Sequence, residues 1–476
     1  MNFRLFYLMS SAKRVLKNLF SLSVAEIANK GIQLVIIMIL GRVIMTEGLG
    51  VVGLAQGFFV YFFLFSTLGF NIVGAREIAK YPERIREYVN SILTIRVLLS
   101  IIMYMILIFI VSSIDKPEIE KTAILIYGLN LFFNAILVDW VYQGTEKMGV
   151  LAIRQVATSL LNLLGILLLV HNQADSVVAV GVMTASIGIN AVWLLILYFK
   201  WHGPIKPSFD FPLWKEMLKS SIPLTFFSFF IIIINNLNIL MFSFMKGQAE
   251  TGLYYAATKV LLVTLMPTAI IQLAFLPLLS RSETLEDRQK IMEKYSQLII
   301  LMAVITAGVV FTFADYFIVL VVGSDFIDAG PLLKILMFSS VIVFINTMYS
   351  TPLIAWKIEK VLVWAMGIAG IVNIAANSIL IPAYGVSGAA IGSVMSEFTV
   401  CLGLAYFFRK HVKKLYILQI WKYALMAAAS CLIGYYLNQY GLHEIVSAIA
   451  AFMIYLGMNF MFRTITISEL KGYIAK

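Results

Sequence analysis

The chain has 476 residues, of which 61% are hydrophobic and 13% charged. A soluble domain is about half apolar and about a quarter charged, so the composition excludes a water-soluble globular protein. It leaves an all-α polytopic membrane protein with no sizeable soluble domain. The formal net charge of +11 calls for no nucleic acid, because cytoplasmic anchoring of membrane helices accounts for it.

Fourteen apolar stretches follow in order, at roughly 19–41, 50–74, 91–113, 121–142, 150–170, 177–199, 221–245, 252–278, 297–322, 331–355, 361–381, 386–408, 418–438 and 444–462. Each is long enough to cross a bilayer as a helix, which takes about 20 residues. The first carries Glu26 and Lys30 and lacks a cleavage site, which predicts a retained helix rather than a signal peptide. Positive charge alternates between the gaps. Of the 36 Lys and Arg, 29 lie at the two termini and in or beside the even-numbered gaps. They run from Arg4, Lys13, Arg14 and Lys17 through such groups as Arg281, Arg288, Lys290 and Lys294 to Arg463, Lys471 and Lys476. The odd-numbered gaps hold only Arg42, Lys116, Lys121, Lys246 and Lys334. The positive-inside rule then predicts cytoplasmic N- and C-termini. The longest polar gap, around 200–219, is too short to fold alone.

Glu47-Gly48-Leu49-Gly50-Val51-Val52-Gly53-Leu54-Ala55 leads from the first stretch into the second, and Glu250-Thr251-Gly252-Leu253-Tyr254-Tyr255-Ala256-Ala257 leads from the seventh into the eighth. Both mark the outer turn between the first two helices of a six-helix set. This predicts two parallel repeats related by an axis along the membrane normal: an N-lobe at 1–205, a C-lobe at 206–412, and two further helices at 413–476. Chance similarity of two glycine-rich hairpins is the alternative.

A charge at mid-bilayer costs about 2.5–3.5 kcal/mol on insertion scales, so each one needs a reason. Glu26, Lys30 and Gln33 are spaced i, i+4, i+7 and share one helix face. They form either a stripe facing a water-filled cavity or an ion pair that neutralises itself within the helix. Asn235, Asn236 and Asn238 near the middle of the seventh stretch either face the same crevice or bond neighbouring helices. Lys259 has no acidic residue at i±3 or i±4 and is the leading candidate for an anionic ligand, with snorkelling to the interface as the alternative. Asp139 pairs with Arg96 or Arg154, or carries a coupling ion. Glu397 is a proton or cation site, or a partner of Lys259. Pro223, Pro267, Pro277 and Pro352 allow bends.

Cys401 and Cys431 read as small apolar fillers, and no His, Cys and carboxylate cluster has metal-ligand spacing. There is no nucleotide-binding loop, nucleophile elbow or zincin motif. No cofactor is expected, and any transport would run on an ion gradient, the membrane potential or the gradient of the substrate.

Four segments go further: Asp139-Trp140-Val141-Tyr142-Gln143-Gly144-Thr145-Glu146-Lys147-Met148; Gly252-Leu253-Tyr254-Tyr255-Ala256-Ala257-Thr258-Lys259; Gly323-Ser324-Asp325-Phe326 through Ala329-Gly330-Pro331-Leu332-Leu333-Lys334-Ile335-Leu336; and Gly385-Val386-Ser387-Gly388-Ala389-Ala390-Ile391-Gly392 through Ser396-Glu397. In content and order they resemble the bacterial polysaccharide flippases of the Wzx type, the O-antigen and capsule repeat-unit transporters of the multidrug/oligosaccharidyl-lipid/polysaccharide (MOP) exporter superfamily. The resemblance covers nearly the whole chain. It implies two six-helix lobes in a V-shaped, MATE-like arrangement in the bacterial cytoplasmic (inner) membrane. It also implies a non-enzymatic flippase that moves undecaprenyl-diphosphate-linked oligosaccharide to the outer leaflet by alternating access. The implied partners are membrane lipid, a polysaccharide polymerase and chain-length proteins. By position, Lys259, Lys30 and Arg42 would meet the diphosphate, and Gln33, Asn235 and Asn238 would line the cavity. Glu26, Glu397 and Asp139 would carry a coupling H+ or Na+. Many members have twelve spans and cavities that lean on Arg; here fourteen stretches and mostly Lys are expected. An ion-coupled multidrug exporter and a lipid II flippase of the same fold are the alternative readings.

Overall fold

In hydrocarbon no water can satisfy an open backbone amide or carbonyl, so each apolar stretch must close its own hydrogen bonds as a helix. The computed structural model describes residues 2–358, 360–462 and 464, with side chains from Ala25 onward except at 224 and 227. Arg463, Lys471 and Lys476, and the side chains of Arg4, Lys13, Arg14 and Lys17, lie outside what it describes. Every regular element among the described residues is helical.

The chain divides into two compact units, Met1–Tyr255 and Ala256–Lys476. The first is built from α1 (Asn2–Thr67), α2 (Phe70–Lys80), α3 (Ile85–Ser113), α4 (Glu118–Gly128), α5 (Asn130–Ile136), α6 (Asp139–Gly144), α7 (Met148–Leu169), α8 (Ser176–His202) and α9 (Phe211–Met245). α10 (Gln248–Thr264) begins in the first unit and ends in the second. The second continues with α11 (Met266–Ser280), α12 (Leu285–Thr312), α13 (Ala314–Val322), α14 (Ala329–Ala355), α15 (Lys360–Val412), α16 (Ile420–Gln439) and α17 (Glu444–Met461).

Among the described residues, twelve helical segments are long and apolar enough to span a bilayer. The difference from fourteen stretches has a local cause. Stretches 19–41 and 50–74 run together as α1, bent at Met45 (φ 55°, ψ −165°). Stretches 361–381 and 386–408 run together as α15, bent at Gly385 (φ 56°, ψ −134°). In both places the connection is a kink rather than a loop.

The opposite happens at 121–142, where one expected helix is three, α4, α5 and α6. No proline stands at these breaks. One face of α3 supports them: Arg96, Ser100 and Tyr104, spaced i, i+4, i+8, each donate across to the broken span. Arg96 Nη1 reaches the Leu137 carbonyl at 3.2 Å and Nη2 the Asn134 carbonyl; Ser100 Oγ reaches Leu131 O at 3.1 Å and Tyr104 OH reaches Leu125 O at 3.3 Å. Carbonyls opened by the breaks therefore keep donors inside the membrane. Pro267 does begin a new helix, α11, as its ring requires, whereas Pro223 lies inside an unbroken α9.

In the first unit, Phe70, Val73, Tyr88, Ile92, Trp140, Tyr142, Leu194 and Tyr198 join α2, α3, α6 and α8 in one buried cluster. Gly74 makes it possible, because a Cβ there would lie 2.6 Å from the Trp140 ring. In the second unit, Tyr295 OH bonds Thr351 Oγ1 at 3.0 Å, Trp356 Nε1 bonds the Leu279 carbonyl at 3.1 Å, and Tyr455 OH bonds the Leu301 carbonyl at 3.2 Å. Other faces are bare and apolar: Ile102, Met105 and Phe109 on α3, Trp364, Ile368 and Ile371 on α15, and Trp421, Leu425 and Leu432 on α16 are all exposed. In water such stripes would aggregate; in a bilayer they are the lipid-facing surface. Cations sit over aromatic rings at the ends assigned to the cytoplasm by charge: Lys147 over Trp201 at 3.8 Å, Arg288 over Trp356 at 4.5 Å and Lys414 over Tyr416 at 5.1 Å.

Candidate functional site

The polar stripe of α1 exists as a surface. Lys30 Nζ lies 3.6 Å from Glu26 Oε1, and both side chains keep substantial exposure, 37% and 48%. An i, i+4 pair this open is weak, worth about 0.3–0.5 kcal/mol in water, so both charges remain available to a ligand. Gln33 Nε2 donates to Asn29 Oδ1 at 3.3 Å. Arg42, further along α1, is exposed and donates to the Met38 carbonyl at 2.9 Å.

α7 packs along α1 and brings a second stripe. Gln155, Ser159 and Asn162 have the same i, i+4, i+7 spacing as Glu26, Lys30 and Gln33. Ser159 Oγ donates to Asn29 Oδ1, joining the two helices. The Gln155 and Asn162 amide oxygens have no hydrogen-bond donor within the protein. Sequence reading passed over this stripe, although the repeated spacing was an available signal. Together α1 and α7 bring two exposed charges of opposite sign beside several neutral amides and the buried Ser159 hydroxyl, with the Gln155 and Asn162 oxygens also buried. That mixture suits a ligand with hydroxyls and an anionic group.

The other candidates stand on other helices. Asp139 opens α6 and stands 2.8 Å from Arg154 Nε of α7; Arg96 instead serves the carbonyls of the broken span. Asn235 and Asn236 donate to carbonyls of their own helix, Ile231 at 2.8 Å and Ile232 at 3.4 Å. Asn235 is exposed, while Asn238 is buried and donates to Tyr254 OH at 2.7 Å, tying α9 to α10. Lys259 is half-buried on α10 in the second unit. Also in that unit, Glu397 of α15 accepts from Asn346 Nδ2 of α14 at 2.7 Å, and the same amide donates to the Glu397 backbone carbonyl at 3.1 Å. A short polar chain runs beside it: Asn377 donates to Asn373 at 2.9 Å, and Asn373 to Ser396 at 2.9 Å. Among the described residues no group of three or more His, Cys, Asp or Glu could hold a metal ion.

Helices of this length and polarity, with lipid-facing outer stripes, define a multi-pass membrane protein. The solved structure of lipid II flippase MurJ in an inward closed conformation superposes with a TM-score of 0.78, covering 93% of this chain and 98% of that one at 15% identity. An inward-facing multidrug resistance MATE family transporter of the MOP superfamily gives 0.61, covering 81% of this chain and 98% of that one at 15% identity. The profile of the family described as "Polysaccharide biosynthesis protein" matches residues 15–283, and the chain belongs to that family. A protein of Escherichia coli (strain K12) named "Putative O-antigen transporter" is 26% identical over 196 residues, 40% of this chain. The chain matches about half of that relative's length, 47%.

Proposed function

We propose that the protein is a flippase, not an enzyme, which carries an undecaprenyl-diphosphate-linked oligosaccharide repeat unit from the cytoplasmic to the outer leaflet of the bacterial inner membrane by alternating access. The reading rests on one observation above others: a family tied to polysaccharide biosynthesis has here a transporter fold with an intramembrane surface of Lys30, Gln33, Asn29, Gln155 and Asn162. A sugar needs neutral donors and acceptors, and a diphosphate needs cations. Lys30, Arg42 and Lys259 are assigned to the diphosphate. Gln33 and Asn235 are assigned to sugar hydroxyls, and Asn238, occupied by Tyr254, to shaping the wall. Glu26 and Glu397 are assigned to a coupling H+ or Na+, while Asp139, held by Arg154, serves that role only if the pair opens. The moving bodies are the repeats 1–205 and 206–412, with 413–476 as an appendix. Both termini are cytoplasmic. The exported unit would pass to a polymerase and its chain-length partners.

Deletion of the gene tests the reading. The expected phenotype is loss of surface polysaccharide with accumulation of lipid-linked repeat units, in viable cells with unchanged resistance to cationic dyes. Lethality through loss of cell-wall precursor export would instead support a lipid II flippase, the reading favoured by the 0.78 superposition on MurJ. Dye sensitivity alone would support a drug exporter.

A further inference from the structure

The odd-numbered gaps are poor in cations, yet two of their charged side chains are among the most deeply buried in the first unit. Lys116 precedes α4 and Glu120 lies in its first turn; Nζ and Oε2 are 3.2 Å apart, and the side chains are 10% and 6% exposed. Lys116 also donates to the carbonyl of Ser243, and to its hydroxyl at 3.1 Å. Gln248 Nε2 donates to Glu120 Oε2 at 2.7 Å and to Ser243 Oγ at 2.7 Å. The Lys116 ammonium lies 5.1 Å from the centre of the Phe244 ring. Lys116 and Glu120 come from the first sequence repeat; Ser243, Phe244 and Gln248 come from the end of α9 and the start of α10, in the second.

Beside this cluster α1 and α10 meet backbone to backbone, while Leu240 and Phe244 of α9 pack against Leu54 and Phe58 of α1. A Cβ on Gly50 would strike the Gln248 carbonyl, and one on Gly252 the Thr46 carbonyl. Gly53 lies flat against Tyr255, where a Cβ would be 2.9 Å from the ring. Tyr255 OH donates to Gln56 Oε1 at 2.7 Å. Three gaps that the charge pattern assigns to the outside, 42–49, 114–120 and 246–251, converge on this seam.

We propose that Lys116, Glu120, Ser243 and Gln248 form an outer latch that closes α9 and α10 onto α1 and α4, and that the latch opens when the substrate is released. This rests on the flippase reading for its purpose, though not for its test. A buried ion pair is a poor device for stability alone, since apolar residues of the same size hold a seam as well or better. It is a good device for a joint that must part. Each group, once separated, is fully satisfied by water, whereas a seam of large apolar side chains would expose them on every opening. The glycine faces of α1 and α10 suit the same need, because flat surfaces separate without unlocking.

The test is a cysteine reporter beneath the latch. Leu240, which contacts Gly57 at the seam (3.1 Å from a Cβ built there), is changed to Cys in the full chain carrying Cys401→Ala and Cys431→Ala. Labelling by a membrane-impermeant maleimide is followed in spheroplasts, where only the outer face is accessible. Glu120→Gln and the milder Gln248→Ala should each label several-fold faster than the intact latch, and the swapped pair Lys116→Glu/Glu120→Lys should return toward the parent rate. Parent-like labelling of both single variants in protein that retains its expression and thermal unfolding overturns the latch. So does a swapped pair as fast as Glu120→Gln. If Glu120→Gln does not fold, Gln248→Ala decides. Surface polysaccharide, scored in the same strains, reports on the flippase reading separately, because the labelling difference is expected whatever the substrate.

Discussion

Ser159 of α7 donates its hydroxyl hydrogen bond to the side-chain oxygen of Asn29 on α1, and that single bond sets two polar stripes of identical spacing side by side within the membrane. Without it the α1 stripe is one helix with a self-neutralising pair. With α7 packed on α1, Gln33, Asn29, Ser159 and the amides of Gln155 and Asn162 lie along one polar seam. Ser159→Ala should leave folding nearly intact, with a loss of about 0.6 kcal/mol, the average for interhelical hydrogen bonds in membranes, while lowering polysaccharide export. Comparing the apparent unfolding temperature in detergent with export in a complemented null strain separates the two effects.

Arg154 and Asp139 tie α7 to the start of α6. Asp139→Asn leaves a guanidinium with only 17% exposure and no anion, and removing one partner of a largely buried ion pair costs up to about 3–5 kcal/mol. A loss of that order is expected. Arg154→Lys should fall between, since it keeps the charge but not the planar guanidinium that fills the site. Thermal unfolding followed by tryptophan fluorescence reads both, and equal stability of all three proteins would remove the pair from the structural account.

Arg96 is the main support of the broken span α4–α6. Arg96→Met should cost about 1–3 kcal/mol for the Leu137 carbonyl left without its donor; the Asn134 carbonyl keeps the Leu137 N–H at 3.2 Å. Protease sensitivity between residues 128 and 139 should rise with it. A variant as stable as the parent would mean that the breaks are satisfied some other way.

Glycine substitutions separate close approach from open space. Gly252→Ala places a methyl group against the Thr46 carbonyl, a backbone atom that cannot rotate aside, and should cost about 1–3 kcal/mol as overpacking does. Gly181→Ala on α8 meets nothing within 4 Å and should be neutral or stabilising by up to about 1 kcal/mol, the helix preference of Ala over Gly. Reversal of that order in unfolding temperature would contradict the packing described for the α1–α10 seam.

The membrane fold was legible because hydrocarbon imposes length and polarity on every span, and both survive as patterns in one sequence. The four quoted segments carried the family. What escaped was tertiary. The breaks at Leu129 and Leu137 have no proline; they depend on donors of α3 that only folding brings alongside. The kinks at Met45 and Gly385 lie in connections that read as ordinary turns, and Met45 carries no glycine signal for its positive φ. Lys116 and Glu120 fall in a short gap, and nothing local says that α9 and α10 will cover them. Asn235, Asn236 and Asn238 looked alike in sequence, but helical phase buries Asn238 against Tyr254 and leaves Asn235 exposed.

The most direct measurement is of leaflet position. In spheroplasts of a strain lacking the protein and its close paralogues, undecaprenyl-diphosphate-linked repeat units are scored for access to an impermeant sugar-binding probe, with the wild-type chain or its Lys30→Glu or Lys259→Glu variant restored. The account predicts that the units are shielded in the null strain, accessible with the wild-type chain, and largely shielded again with either charge reversal at equal expression. Units fully accessible in the null strain would contradict it.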